Sequence, residues 1–166
     1  KALFAYGATQ DGTGLNQRNL VNTSGVIASN VSGAGTARNA LAATKYGVGL
    51  GIFAYGADTL SMSNLVNNQG VLSSDVTGVG TARRDIAAAS YGGDKGVFGY
   101  GISGSSSNVT NKVSNVGVVA SDTSGVGTAR YYLAATGYGG DKAIFGFGST
   151  GSVTGITNLV NNSGSV

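Results

Sequence analysis

The sequence predicts an all-β tandem-repeat protein, and three observations support that prediction. Glycine fills 30 of the 166 positions while charged residues make up only 10%, a composition suited to many tight turns. Short runs of β-branched and aromatic residues alternate with clusters of Gly, Asn, Ser and Asp, which is the pattern of short strands. The same landmarks recur along the whole chain, so one structural unit is repeated.

Four landmarks define the repeat. Gly-Thr-Ala-Arg comes first, and a Tyr-Gly pair begins eight residues after its Arg. The arginines are Arg38, Arg83 and Arg130, and the tyrosines are Tyr46, Tyr91 and Tyr138. Phe-x-aromatic-Gly begins seven residues after each Tyr, at Phe53, Phe98 and Phe145, with an additional copy at Phe4. Asn-Leu-Val-Asn begins at Asn19, Asn64 and Asn158 and is degraded at Asn111.

The spacing of the landmarks separates packed elements from loops. From the Asn landmark to the next Gly-Thr-Ala-Arg the distance is 16 residues in every copy, whereas from Phe to Asn it is 15, 11, 13 and 13. A slip of one residue would turn the buried face of a strand outward, so fixed spacings indicate packed strands and variable ones indicate surface loops. The predicted variable loops cover residues 8–18, 57–63, 102–110 and 149–157.

Strands are predicted from the residues between turns. Ala143–Phe147, Ile156–Val160 and Val118–Ser121 are short and bounded by turn-forming residues. The segment Thr128–Thr136 has helical propensity, but glycines flank it and no capping pattern supports a helix. It is therefore predicted to be the first strand of a unit, beginning near the Arg and ending at Tyr-Gly.

Four short strands in each period predict the blade of a β-propeller. The copies of Phe-x-aromatic-Gly lie 49, 45 and 47 residues apart, which suits a four-stranded blade. Residues 38–82 and 83–129 are predicted to be blades and residues 1–37 and 130–166 partial blades, about three and a half in all. Closing a ring takes ~4 to 8 blades, so we expect an oligomer or a segment of a longer chain. A β-solenoid is the alternative fold, and it predicts parallel in-register strands.

The last copy resembles the kelch blade. The resemblance is carried by Arg130–Ala135, Gly139–Lys142 and Ala143–Gly148: an Arg opens the inner strand, small residues follow, and a turn leads into an apolar strand that ends in glycine. The Gly, Ser, Thr, Asn and Ala bias and the degenerate repeats also resemble repetitive blade-type segments of bacteriophage virion and tail-fibre proteins. These resemblances imply a kelch-like β-propeller in a virion or appendage.

The composition narrows the function classes. The chain has no His and no Cys, which removes the commonest general base, the thiolate nucleophile and the usual zinc ligands. We therefore expect no enzyme activity, no cofactor and no metal. A net charge of +3 without a basic run predicts no nucleic-acid partner, and no apolar run approaches the ~18 residues that would predict membrane insertion.

A non-catalytic structural and adhesive module is the function that this sequence predicts. It would present its variable loops to other structural subunits or to a host surface, in a virion or an extracellular setting. The alternative is a secreted carbohydrate-binding propeller, a lectin whose equivalent sites each take a glycan and act together.

Six residues are candidates for ligand binding, and each set has a structural alternative. Arg38, Arg83 and Arg130 would form a ring that captures an anionic glycan, or would pair with acids eight residues before an Arg, namely Asp75 and Asp122. Tyr46, Tyr91 and Tyr138 would stack on sugars or pack between blades. In both sets the structural role is the one favoured. The turns at Asp94 and Asp141 offer one carboxylate each, so turn chemistry is favoured there over calcium binding.

Overall fold

The structure is a computed structural model that describes residues 1–57 and 60–166. Within these ranges every regular element is a β-strand, and there is no helix long and apolar enough to cross a membrane. The all-β prediction is confirmed. Part of the predicted loop 57–63, namely Asp58 and Thr59, lies outside the described residues.

The strands form four three-stranded antiparallel sheets in chain order, and a separate two-stranded hairpin lies within the chain segment of the third. The first sheet contains β1 (Ala2–Ala5), β2 (Gln17–Val21) and β3 (Val31–Ser32). The second contains β4 (Ala42–Tyr46), β5 (Leu50–Ala54) and β6 (Ser63–Val66). In the third, β7 (Ala87–Tyr91) and β8 (Lys95–Gly99) are followed by a small hairpin, β9 (Ile102–Ser103) and β10 (Ser105–Ser106), and then by β11 (Thr110–Val113). The fourth contains β12 (Ala134–Tyr138), β13 (Lys142–Gly146) and β14 (Thr157–Val160).

The same register recurs in the last three sheets. The second Ala of the first strand lies opposite the Phe of Phe-x-aromatic-Gly, as in the pairs Ala43↔Phe53, Ala88↔Phe98 and Ala135↔Phe145. Every pairing between the strands that the structure describes is antiparallel. The β-solenoid alternative predicted parallel pairing, which these sheets do not have.

The predicted fourth strand of each unit is reduced to isolated contacts. Val118–Ser121 was predicted to be a strand, but this segment pairs with β11 only through single bridges such as Val113↔Val119. The Asn111 side chain donates to the backbone oxygen of Ala120 at 3.1 Å, and this bond takes a position that a regular ladder needs for a backbone donor. In the first sheet the equivalent bridge joins Val21 to Ile27, and the two-residue strand β3 lies further along, at the positions of Thr123 and Ser124.

The first strand of each unit begins four residues later than predicted. It starts at Ala42, Ala87 or Ala134 instead of at the preceding Arg. A residue in the left-handed region intervenes, with φ of 53° at Ala40, 55° at Asp85 and 55° at Tyr132, and a strand cannot continue through this conformation. The kink turns these backbones toward one another, since Asp85 N donates to Ala40 O at 2.9 Å and Tyr132 N donates to Asp85 O at 3.1 Å.

The hydrophobic core lies between consecutive sheets, which are in contact through their first strands β4, β7 and β12. Each junction contains one edge-to-face aromatic pair, joining the Tyr of one Phe-x-Tyr-Gly to the Phe of the next copy. The ring centroids are 5.6 Å apart for Tyr6–Phe53, 5.4 Å for Tyr55–Phe98 and 5.2 Å for Tyr100–Phe145. Neighbouring sheets therefore stabilise one another.

Candidate functional site

The three repeated arginines are buried between sheets. Arg83 is 0% exposed, and its guanidinium donates to three acceptors inside the protein. Nε donates to Tyr100 O at 2.9 Å, Nη1 to Thr81 O at 3.0 Å, and Nη2 to Asn111 Oδ1 at 2.6 Å. Arg38 repeats this arrangement with Tyr55, Thr36 and Asn64. We call Arg83 with these partners and Asp122 the Arg83 cage.

Asp122 completes the Arg83 cage from the fourth segment of the same unit. Its carboxylate accepts hydrogen bonds from Thr81 N at 3.0 Å, Thr81 Oγ1 at 2.6 Å and Asn111 Nδ2 at 2.8 Å, and Arg83 Nη1 lies 3.7 Å away. Desolvation raises the pKa of Asp122, but the hydrogen bonds from Thr81 and Asn111 and the charge of Arg83 together outweigh it, so the net pKa is lowered. The acid is therefore held in its charged form.

The predicted partner of each acid is wrong. Asp75 was expected to pair with Arg83, and Asp122 with Arg130, eight residues further on. Asp75 instead lies 3.9 Å from Arg38, and Asp122 lies 3.7 Å from Arg83. The reason is that the Gly-Thr-Ala-Arg turn carries the following Arg into the next unit, while the acid stays with the Asn of its own sheet.

Each arginine also contacts the preceding sheet. Its guanidinium carbon lies over an aromatic ring, at 4.1 Å for Arg38 on Tyr6, 4.9 Å for Arg83 on Tyr55 and 4.2 Å for Arg130 on Tyr100. Burial raises the pKa of Tyr55 to about 12 despite the nearby charge of Arg83, and burial lowers the pKa of Arg83. The arginines therefore act as cation–π links between sheets, and their burial favours this structural role over the predicted ring that captures a ligand.

The aromatic residue after each Phe-x adopts a strained backbone that the sequence does not reveal. Its φ is 66° at Tyr6, 66° at Tyr55, 64° at Tyr100 and 63° at Phe147, a conformation that costs roughly 1–2 kcal/mol for a residue with a side chain. The carbonyl of Tyr55, Tyr100 or Phe147 then accepts the Nε–H of an arginine at 2.9 Å. The buried arginine thus stabilises the strained turn.

The turn before each arginine needs two glycines. Gly80 has a φ of 77°, and a Cβ at this position would overlap the Asp122 carboxylate. A Cβ at Gly125 would overlap the backbone carbonyl of Asn108. Both glycines are present in every copy. The full motif is Gly-x-Gly-Thr-Ala-Arg, and its three copies begin at Gly33, Gly78 and Gly125. The extra glycine was a signal in the sequence that the four landmarks did not include.

The repeated Tyr-Gly tyrosines lie at the same junctions. Tyr46 and Tyr91 are each 4% exposed and belong to the buried clusters between sheets. Their rings adjoin glycines of the following unit, since a Cβ at Gly117 would meet Tyr46 and a Cβ at Gly164 would meet Tyr91. Tyr138 is 40% exposed. Stacking on a sugar needs an exposed face, which among these three only Tyr138 offers.

The acidic turns link neighbouring units. The backbone oxygens of Asp94 and Asp141 accept hydrogen bonds at 2.7 Å from Gly47 N and Gly92 N of the preceding unit. Their carboxylates pair with Lys95 and Lys142 at 2.7 Å, and the hydrogen bond from Lys95 lowers the pKa of Asp94. Across residues 1–57 and 60–166, no group of three or more acidic or other metal-ligating side chains comes together.

The variable loops lie beside the Gly-Thr-Ala-Arg turns, at the end of the strands opposite the acidic turns. Isolated bridges join Leu15 to Arg38, Ile102 to Arg84, and Ser149 to Tyr131. Ala57 N donates to Asn39 O at 2.7 Å in the second unit. The described residues of these loops therefore share one surface with the turns. We call this surface the loop face.

No protein-family model matches the chain, and no curated protein is similar to it.

Proposed function

We propose that this chain is a non-catalytic structural and adhesive module, built as a kelch-like β-propeller segment, which presents its loop face to neighbouring subunits or to a host surface. A virion or a microbial exterior is the setting in which we place it. The single observation that carries the proposal is the contrast between invariant buried junctions and one surface of loops that vary in length.

A propeller arrangement of the sheets is supported by their contacts. The inner strands β4, β7 and β12 are neighbours in that order, as they are around the axis of a propeller. The residues of these strands include the alanine pairs Ala42-Ala43, Ala87-Ala88 and Ala134-Ala135. Small side chains suit the place where strands of successive blades converge.

An adhesive role is supported by the difference between the buried contacts and the exposed loops of each unit. The cages and aromatic pairs occupy positions with fixed spacing and are turned inward, so they hold the framework rigid. The polar loops 8–18, 102–110 and 149–157 tolerate changes in length, and such loops on a rigid framework are where contact specificity is built.

The lectin alternative receives less support. Equivalent sugar sites between blades would require equivalent exposed aromatic residues, but Tyr46 and Tyr91 are buried. The arginines of the proposed anion ring are also buried, with their guanidinium groups bonded to internal acceptors. A single exposed Tyr138 does not make a repeated site.

The test of the proposal combines location with a surface comparison. Purified particles from the source should contain the chain by mass spectrometry. The isolated protein should bind the surface of the target cells in flow cytometry. Ser103→Glu with Ser105→Glu, which adds bulk and negative charge to the loop face, should weaken that binding at least about tenfold.

The matched control lies at the other end of the same strands. Asp94→Ala with Lys95→Ala changes exposed side chains in the opposite turn and should leave binding unchanged. If the chain is absent from particles and the loop variant binds as well as the original, the proposal fails. Saturable binding on a glycan array that Tyr138→Ala abolishes would favour the lectin instead.

A further inference from the structure

The first sheet lacks the inner strand that the other three sheets have. In those sheets the strand that carries Phe-x-aromatic-Gly is central, with an inner strand hydrogen-bonded to one side, as β8 is flanked by β7 and β11. In the first sheet the equivalent strand β1 is an edge strand that pairs with β2 alone among the described strands. One edge of β1 therefore presents backbone donors and acceptors that a further strand would pair.

Two cavities are lined by residues of both β1 and β4. A cavity of about 430 Å³ is lined by residues that include Leu3, Leu20 and Phe53. A second, of about 550 Å³, is lined by Phe4, Tyr6 and Phe53 among others. Ala43 of β4 lines both. We call the space between the open edge of β1 and β4 the inner-strand slot.

In the other three sheets an inner strand fills the position that corresponds to this slot. β7 lies in contact with β4 on one side and β12 on the other, and its Ala87, Ala89 and Tyr91 are buried. In β4, which has the slot on its other side, Ala43 and Lys45 are exposed, whereas the equivalent Ala88 and Ser90 of β7 are partly buried. The open side of β4 thus lacks the contact that β7 has on both of its sides.

The chain itself defines what fits the slot. The inner strands read Ala-Ala-Thr-Lys-Tyr, Ala-Ala-Ala-Ser-Tyr and Ala-Ala-Thr-Gly-Tyr, and all three pair with the next strand in the same antiparallel register. We propose that the inner-strand slot binds an extended segment of the pattern Ala-Ala-x-x-Tyr, supplied by a further repeat unit of this type. The segment runs antiparallel to β1, with its second Ala opposite Phe4.

This binding mode is strand addition to an exposed sheet edge. Backbone hydrogen bonds along β1 supply affinity, and the small residues of the segment supply specificity because only they fit against β4. The loop face takes no part in this strand addition, so the inference can be tested independently of the proposed function.

A disulfide experiment tests the register. The chain has no Cys, so Ala2→Cys introduces a single thiol on β1. The probe is a peptide of residues 84–92 with Ser90→Cys, because Ser90 pairs with Gly96 in the third sheet and Gly96 corresponds to Ala2. Directly opposite residues bring Cα atoms within disulfide range. We expect capture of this peptide at least about tenfold faster than capture of the same peptide with Ala88→Cys instead, which pairs two residues away.

A second measurement uses the protein without substitutions. In an NMR titration the unmodified peptide should shift the amide signals of β1 and β4 saturably. A control peptide with Ala87→Leu and Ala89→Leu should bind about tenfold or more weakly, because both positions are buried in β7. Equal capture at both register positions, no saturable shift, or equal affinity of the two peptides would each overturn the inference.

Discussion

The Arg83 cage and the surroundings of Arg130 differ in one hydrogen bond of the guanidinium group. Both arginines donate Nε–H to the aromatic carbonyl at 2.9 Å and Nη1–H to a Thr carbonyl at 3.0 Å. In the Arg83 cage, Nη2 also donates to Asn111 Oδ1 at 2.6 Å. At the equivalent position Arg130 Nη2 and Asn158 Oδ1 are both buried and have no hydrogen-bond partner among the described residues.

Asp122 orients the side-chain amide of Asn111 in the Arg83 cage. Asn111 donates Nδ2–H to Asp122, and an amide whose nitrogen is held by a carboxylate presents its oxygen in the other direction, toward Arg83. Arg38 shows the same arrangement, because Asn64 donates Nδ2–H to Asp75 and accepts from Arg38. The carboxylate therefore acts through the amide, which makes Asp122 a positioning residue for the Arg83–Asn111 bond.

Removing the arginine should have the largest effect, and the effect should depend on the cage. Arg83→Met leaves Asn111 Oδ1 and the carbonyls of Tyr100 and Thr81 without their donor and removes the cation beside Asp122, so we expect a loss of about 3–5 kcal/mol in the free energy of unfolding. Arg130→Met should cost clearly less, because one of its hydrogen bonds is already missing. Urea unfolding followed by circular dichroism measures both. Lys142→Met, an exposed cation, should change little, and equal losses at the two arginines would contradict the comparison.

Removing the acid should weaken the hydrogen bond between Arg83 and Asn111. Asp122→Ala deletes the acceptor for Thr81 and Asn111 at a partly exposed position, so we expect a loss of about 1–2 kcal/mol. The informative measurement is a double-mutant cycle with Arg83→Met, in which the two losses should be less than additive. Strictly additive losses would show that the acid does not act through the arginine. Asp94→Ala, in the opposite turn, is the matched control and should show no coupling.

Low pH should lower the stability of the protein in the same way as removing the Asp122 carboxylate. The folded-state pKa of Asp122 is lowered from 3.8, as is that of Asp75. The stability from these groups is therefore fully present above pH 3.8 and is lost as the pH falls through the folded-state values. Thermal midpoints measured from pH 7 downward should fall in this acidic window, and should fall less in Asp122→Ala than in the unsubstituted protein. Identical profiles would argue against a charged Asp122 in the cage.

The smallest effect is expected from the tyrosine hydroxyl. Tyr100 Oη donates to Val126 O at 3.1 Å across the junction, whereas the equivalent aromatic of the next copy is Phe147, which has no hydroxyl. Tyr100→Phe should lower the free energy of unfolding by about 1 kcal/mol. Tyr138→Phe, at an exposed ring, is the control and should leave the thermal midpoint unchanged. A similar change in stability in both variants would show that the hydrogen bond from Tyr100 Oη does not stabilise the protein.

The repeat geometry was predictable where local rules apply. The glycine-bounded segments around Phe98 and Phe145 became strands β8 and β13, because turn chemistry and strand propensity act over a few residues. The ligand-binding roles predicted for the arginines and tyrosines stay predictions, and the burial of Arg83 and Tyr91 favours the structural alternatives.

The errors arose where residues distant in sequence meet. The pairing of Asp122 with Arg83 spans 39 residues, against the eight that separate it from Arg130. The left-handed φ at Asp85 and Tyr100 is unfavourable for these residue types in isolation. The buried guanidinium of Arg83 donates hydrogen bonds to acceptors from several segments at once. No local sequence pattern predicts which segments supply these acceptors.

The amino-acid sequence by itself determined that identical units follow one another, where each unit turns, and which segment is free to change length, because these properties follow from spacing and backbone preference within one unit. Only the tertiary structure decided which acid meets which arginine and where the inner strand starts. These features depend on contacts between units, whose energies exceed the local preferences that a single stretch of sequence expresses.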